Sequence, residues 1–278
     1  MLPSLDLTPP RRRARPAQAG DRHRHGQGHG RRQRRPPRRL AGLLACALVS
    51  LLAVTAGAAG GNVLKPWLGA GDQAAAPWHV VGLPRQAKPF TQFRVVALEG
   101  ERVLRVEADQ SYGNLVMAVP PDTAAHSLSW RWRLDEANAQ ADLRRKDGDD
   151  SALKVCAFFD EPLSAVPFVE RQLLRMARGL SSEPLPAATV CYVWDSRLAP
   201  GTTLVNAFTR RVRLIVLRGP ESPLHRWHTE QRDIVADYMR LFGDETDSAP
   251  PLMGVGLGGD ADNTHGRSLG HLADLSLQ

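Results

Sequence analysis

Oxygen-rich side chains crowd two short stretches of this sequence. Asp147-Gly148-Asp149-Asp150 places three carboxylates within four residues. Carboxylates that close repel one another, so they belong either in solvent or beside a cation. Gly258-Gly259-Asp260-Ala261-Asp262-Asn263-Thr264 is equally dense. There Asp260, Asp262 and Asn263 can converge through an Asx-type turn on a hard divalent cation such as calcium, or on a sugar hydroxyl. The bland reading of both stretches is a polar turn, and the helix-loop-helix calcium spacing is missing.

A second chemistry is aromatic and cationic. Trp130, Trp132, Trp194 and Trp227 could stack on sugar rings while Arg131, Arg133 or Asp195 bond the hydroxyls. Trp130 and Trp132, however, share a face with Leu128 and Leu134 and are expected in the core, which leaves Arg131 and Arg133 on the opposite face. The candidate ligand-binding residues are therefore Arg131, Arg133, Asp149, Asp150, Trp194, Asp195, Asp260, Asp262 and Asn263. Asp260, Asp262 and Asn263 double as the candidate metal set. A glycosidase would need two carboxylates across a cleft, about 5 to 9.5 Å apart, a distance that sequence does not give. No serine lies in a G-x-S-x-G context, and G-x-G-x-x-G, P-loop and H-E-x-x-H motifs are absent. His225 and His228 flank Trp227 without an evident third ligand and read as surface residues.

The elements that must hold these groups read mostly as strands. Trp78 to Val81, Phe93 to Leu98, Arg102 to Val106, Leu115 to Val119 and Leu128 to Leu134 have strand character, the last with the cleanest two-residue period. Lys154 to Asp160 and Thr189 to Asp195 are nearly continuously apolar, as central strands covered on both faces are, and each places a Cys four residues before an Asp. Cys156 and Cys191 can form a cross-strand disulfide if their Cα atoms come within about 7 Å, or pack as two buried thiols. Arg211 to Leu217, Leu252 to Leu257 and Leu272 to Leu277 complete the strands. Helices are expected over Ala165 to Arg178 and Glu230 to Phe242, each followed by Gly. Many short strands with two helices argue for a mostly β fold, an antiparallel β-sandwich.

Charge divides the chain. Of its 36 basic and 29 acidic side chains, twelve arginines and two acids (Asp6, Asp21) lie in residues 1–39, a net +10; the remaining 24 basic and 27 acidic groups give −3. The basic pI of about 9.9 thus belongs to a tail rich in Arg, Pro, Gly and His, which is expected to be disordered, and no nucleic-acid partner is implied. Leu40 to Ala59 is a run of twenty uncharged residues directly after Arg38-Arg39. It fits a signal peptide or a single membrane anchor, with the body on the periplasmic or extracellular side. Leu43-Leu44-Ala45-Cys46 partly fits a lipoprotein cleavage box as a third reading. Residues 60–76 read as a linker and 77–278 as the sandwich domain.

Taken in order, Leu128…Trp130-Arg131-Trp132, Gly148-Asp149-Asp150, Tyr192-Val193-Trp194-Asp195, Asn206, Asp237-Tyr238…Phe242-Gly243 and Asp260-Ala261-Asp262-Asn263-Thr264 resemble the bacterial domain of unknown function 3047 family. The resemblance runs from about Trp78 to the C-terminus. It implies an exported bacterial protein with a sandwich like the jelly-roll carbohydrate-binding modules, and it carries no established activity. Near the end, His271-Leu272-Ala273-Asp274 stands where the family usually has aromatic residues. The expectation is an exported or membrane-held module that binds a glycan or another cell-envelope component without catalysis. The alternatives are a hydrolase or lyase acting on polysaccharide, and a structural, partner-binding periplasmic protein.

Overall fold

The computed structural model describes residues 61–181 and 183–278. The arginine-rich tail and the Leu40–Ala59 run lie outside the described residues, and so do the signal-peptide, anchor and lipoprotein readings attached to them. No helix among the described residues is long and apolar enough to cross a membrane.

The strands are β1 (His79–Val81), β2 (Gln92–Leu98), β3 (Glu101–Asp109), β4 (Asn114–Ala118), β5 (Ser127–Glu136) and β6 (Leu153–Phe159), then β7 (Ala188–Trp194), β8 (Thr203–Val205), β9 (Val212–Arg218), β10 (His228–Asp233), β11 (Leu252–Gly258) and β12 (Arg267–Leu277). Helix α1 (Phe168–Leu180) joins β6 to β7, and α2 (Ile234–Phe242) follows β10. Two sheets result. One has seven strands in the order β1-β4-β11-β6-β7-β9-β8, the other five in the order β10-β5-β12-β3-β2. Every pairing is antiparallel except β7 with β9. The β-sandwich read from the strand pattern is thus the fold, with one parallel contact.

Alternation in β5 decides how the layers face. Leu128, Trp130, Trp132 and Leu134 point into the space between the sheets and are fully buried, while Arg131 and Arg133 stand on the outer face. The opposite sheet answers with Tyr192 and Trp194 of β7. Trp130 meets Tyr192 at 5.3 Å between ring centroids, and Trp132 meets Trp194 edge-on at 5.6 Å. Contacts of this kind fill the core with few polar atoms to satisfy.

β6 and β7 are apolar on both faces because a second layer covers them. Cys156, Cys191 and Val193 form an outer cluster with Leu143, Leu214 and Val216, roofed by Leu198 and Leu204. The register sets Cys156 directly opposite Cys191, with Cα atoms 4.1 Å apart, and the two form a disulfide.

Two segments differ from the sequence reading. The expected helix over Glu230 to Phe242 begins only at Ile234: residues 228–233 pair with β5 as an edge strand, and the Asp233 side chain caps the helix by accepting from the Val235 and Ala236 amides. Local helical spacing loses here to an open sheet edge. Residues 61–76, expected as a linker, pack on the sandwich. Leu64 and Trp67 are buried, and the Asn62 carboxamide bonds Leu275 and Leu277.

Candidate functional site

The two oxygen-rich stretches, more than a hundred residues apart in sequence, meet at one end of the sandwich. Asp149 and Asp150 follow a single 3-10 turn (Lys146–Gly148). Gly148 permits that turn to press on the chain at Asp142: a Cβ there would lie 3.0 Å from the Asp142 nitrogen and 3.1 Å from its carbonyl oxygen. Asp150 Oδ1 accepts from the Asn263 amide at 3.1 Å and from its carboxamide at 3.3 Å. Asp150 Oδ2 accepts from the Thr264 amide at 2.8 Å, the Thr264 hydroxyl at 2.5 Å and the Asn138 carboxamide at 3.4 Å. Asp149 Oδ2 accepts from Asn206 at 2.5 Å.

Asp260 and Asp262 face two ammonium groups. Asp260 accepts from the Ser151 amide at 2.6 Å and from Lys154 Nζ at 2.9 Å, with both side chains buried. Asp262 accepts from Lys88 Nζ at 2.6 Å, and its Oδ1 is buried with no donor. One oxygen each of Asp150, Asp260 and Asp262 lie within 4.8 Å of one another. Burial, then the Asp260 charge, pushes the Asp149 carboxyl up to about 6. Burial likewise raises Asp260, against the pull of Lys154. Burial alone would depress the Lys154 ammonium, but Asp260, Tyr112 and Asp149 together hold it above its ordinary value.

Calcium would want free oxygens here. Both Asp150 oxygens and both Asp260 oxygens already accept protein donors, and Asn263 turns its NH2 group toward Asp149 and Asp150. Within the trio Asp150, Asp260 and Asp262, only Asp262 Oδ1 has no protein donor.

Asp195 lies at this end too, one residue past the Leu153–Trp194 pair, but neither it nor Trp194 joins the acid cluster. Trp194 is core, and Asp195 Oδ1 accepts from the Arg197 and Leu198 amides, a turn-forming role.

Arg131 and Arg133 belong to a different surface, the outer face of the five-stranded sheet. Arg131 bonds Glu101 at 2.7 Å and also Asp274, and its guanidinium lies 5.1 Å from the Trp227 ring centre. Arg133 bonds Asp135 and Glu99, each at 2.6 Å. Trp227 Nε1 donates to Glu99 at 3.2 Å. Asp135 also faces His225 at 3.2 Å and the buried His271 at 3.4 Å, whose imidazole burial holds below its ordinary value.

Three of the residues that finish this patch have left-handed backbone: Glu99 (φ 52), His225 (φ 58) and Asp274 (φ 52). Non-glycine residues rarely hold that conformation unless their surroundings require it. Glu99 sits in the β2–β3 turn before Gly100 (φ 87), and Asp274 in the β12 irregularity between Ala273 and Ser276.

Trp227 is the one tryptophan among the described residues that is not buried. Sequence reading weighed Trp227 only as one of several aromatics and missed Glu99, Glu101, Asp135, His271, Lys88 and Lys154. None of these carries a local signal, because each acquires its role from a partner on another strand or loop.

Three solved structures are remotely similar to this chain. TmCBM61, solved in complex with beta-1,4-galactotriose, is 13% identical, with 78% of this chain and 97% of that chain covered and a TM-score of 0.32. The Trichoderma harzianum endoglucanase 3 from family GH12 is 11% identical, covering 74% and 99%, with a TM-score of 0.36. The K1 cleaved adhesin domain of Lys-gingipain from Porphyromonas gingivalis is 7% identical, covering 77% and 95%, with a TM-score of 0.33. Likenesses this remote say nothing about activity. No curated protein matches the sequence. A family model does match, over residues 76–276, and the chain belongs to the family described as protein of unknown function (DUF3047).

Proposed function

We propose that this is an exported, envelope-associated protein that binds a polyhydroxylated, glycan-type ligand on the outer face of the five-stranded sheet and does not act on it chemically. The observation that carries this reading is Trp227. Its ring stands outside the core, backed by Arg131 and tethered through Glu99, amid arginine–carboxylate pairs. An aromatic plane beside fixed donors and acceptors is the chemistry that recognises sugar rings.

The arrangement favours binding over hydrolysis. A glycosidase needs one carboxyl held protonated near a second, ionised one. On this face Glu99, Glu101, Asp135 and Asp274 each bond an arginine, so each carboxylate is engaged in an ion pair rather than standing free across a cleft from another. Asp149 and Asp260, whose carboxyls are pushed up, sit instead in the buried acid end. For that end we propose a structural role, in which Lys88 and Lys154 supply the positive charge a calcium ion would otherwise bring. Export is supported by the Leu40–Ala59 run and by the Cys156–Cys191 disulfide, which suits an oxidising compartment.

The test is a glycan array probed with the purified full chain and with Trp227→Ala. Retention of an envelope glycan that weakens about tenfold or more in the variant is expected, since truncating an aromatic anchor of a binding face costs on the order of 2 kcal/mol. A chain that retains no glycan at millimolar concentration overturns the proposal.

A further inference from the structure

Helix α1 carries an apolar stripe that no other described residue covers. Phe168, Val169, Leu173, Met176 and Leu180 are 68%, 65%, 55%, 64% and 46% exposed. Val169, Leu173, Met176 and Leu180 recur at helical spacing and so share one face. Leu174 is the helix's buried residue, packed with Val166 and Ala187. Arg171 and Arg178 turn back toward the fold, Arg171 Nε being buried and Arg178 Nε donating to the Leu185 carbonyl, whereas Arg175 is exposed and has no acid partner among the described residues. A helix with such an exposed apolar face lies in the plane of a bilayer surface: that face sinks to the headgroup boundary while a flanking cation, here Arg175, reaches the anionic headgroups.

Where the chain enters the domain points to the same occupant. Asn62 bonds the end of β12, and the Lys65 carbonyl accepts from Trp78 Nε1 at 2.7 Å. The neighbouring His79 approaches Glu183, just past α1, at 3.4 Å. α1 itself joins the end of β6 to the start of β7, so helix and entry point share the end of the sandwich opposite the acid cluster. Only Gly60 and Gly61 separate Asn62 from Ala59, the last residue of the uncharged run, a gap of no more than about 10 Å.

We infer that α1 is a membrane-contact helix, seated on a bilayer surface that carries anionic phospholipid. The inference rests on reading Leu40–Ala59 as a retained anchor. With that anchor in place, the stripe meets lipid and the sandwich stands with its opposite end away from the membrane.

The test uses the full chain in vesicles of mixed zwitterionic and anionic phospholipid. It reads the rate of Met176 oxidation by peroxide, set against the same chain unfolded in urea. A bilayer-seated Met176 oxidises several-fold more slowly than in urea, and the Leu173→Ser, Leu180→Ser double variant returns towards the unfolded rate at an unchanged unfolding midpoint. Oxidation at the unfolded rate, in chain that stays with the vesicles through an alkaline wash, overturns the inference and leaves the anchor standing. Chain that washes off overturns the anchor and the inference together. Protection that grows with protein-to-lipid ratio assigns the stripe to a second copy and overturns it as well.

Discussion

At the scale of single residues, the acid end is a test of how buried charge is compensated. Lys154 and Asp260 are a buried ion pair, so removing one partner leaves the other uncompensated. Lys154→Met is expected to cost about 3–5 kcal/mol in urea unfolding, with much of that loss recovered in the Lys154→Met, Asp260→Asn double variant. Asp149 gives a pH signature. Its carboxyl is raised to about 6 in the folded chain, above the ordinary value of about 4, so between those limits the folded state binds more protons than the unfolded one. Stability contributed by this group therefore falls as pH rises from about 4 to about 6, by roughly 3 kcal/mol in all. Asp149→Asn should flatten that slope in thermal melts and be the more stable protein at pH 8. Calcium and EDTA should leave the melting temperature unchanged if the lysines are the resident counter-charges; a rise with calcium would show an ion entering beside Asp262 Oδ1. The carboxylates of this end were visible as residue types, yet their meeting was not. Asn263 and Asp150 touch across 113 residues, and nothing local in either loop encodes the other.

At the scale of elements, legibility followed periodicity. The two-residue alternation of Leu128 to Leu134 separates the core tryptophans from the outward-facing arginines, because a strand's faces are set by the chain itself. The twin apolar runs of β6 and β7 announced central strands with matched cysteines. The register that sets Cys156 against Cys191 was beyond sequence, since pairing depends on the loop around α1. Edge elements were the least legible. β10 hid inside a helical pattern, and β8 is only Thr203–Val205. The disulfide closes a separation of 35 residues, and Cys156→Ala with Cys191→Ala should lower stability by about 4 kcal/mol. Denaturing the chain without reductant and titrating thiols should find neither cysteine free, and the same melt with reductant should approach that of the variant.

At the scale of the whole molecule, the ends and faces of the sandwich divide the work. The lysine-locked acid end ties loops together, the opposite end receives the chain and carries α1, and the outer face of the five-stranded sheet, with Trp227, is the proposed ligand face. The net positive charge of the chain resides in residues 1–39, and the remaining residues sum to −3. Cell fractionation should find the polypeptide with the envelope, and recovery from the cytosol would contradict export. Binding at the sheet face is tested most directly by hydrogen exchange of the full chain with and without a glycan retained on the array. The account predicts slowed exchange confined to β5, β12 and residues 225–229. Protection centred instead on residues 138–150 and 259–264 would place the ligand at the acid end and contradict it.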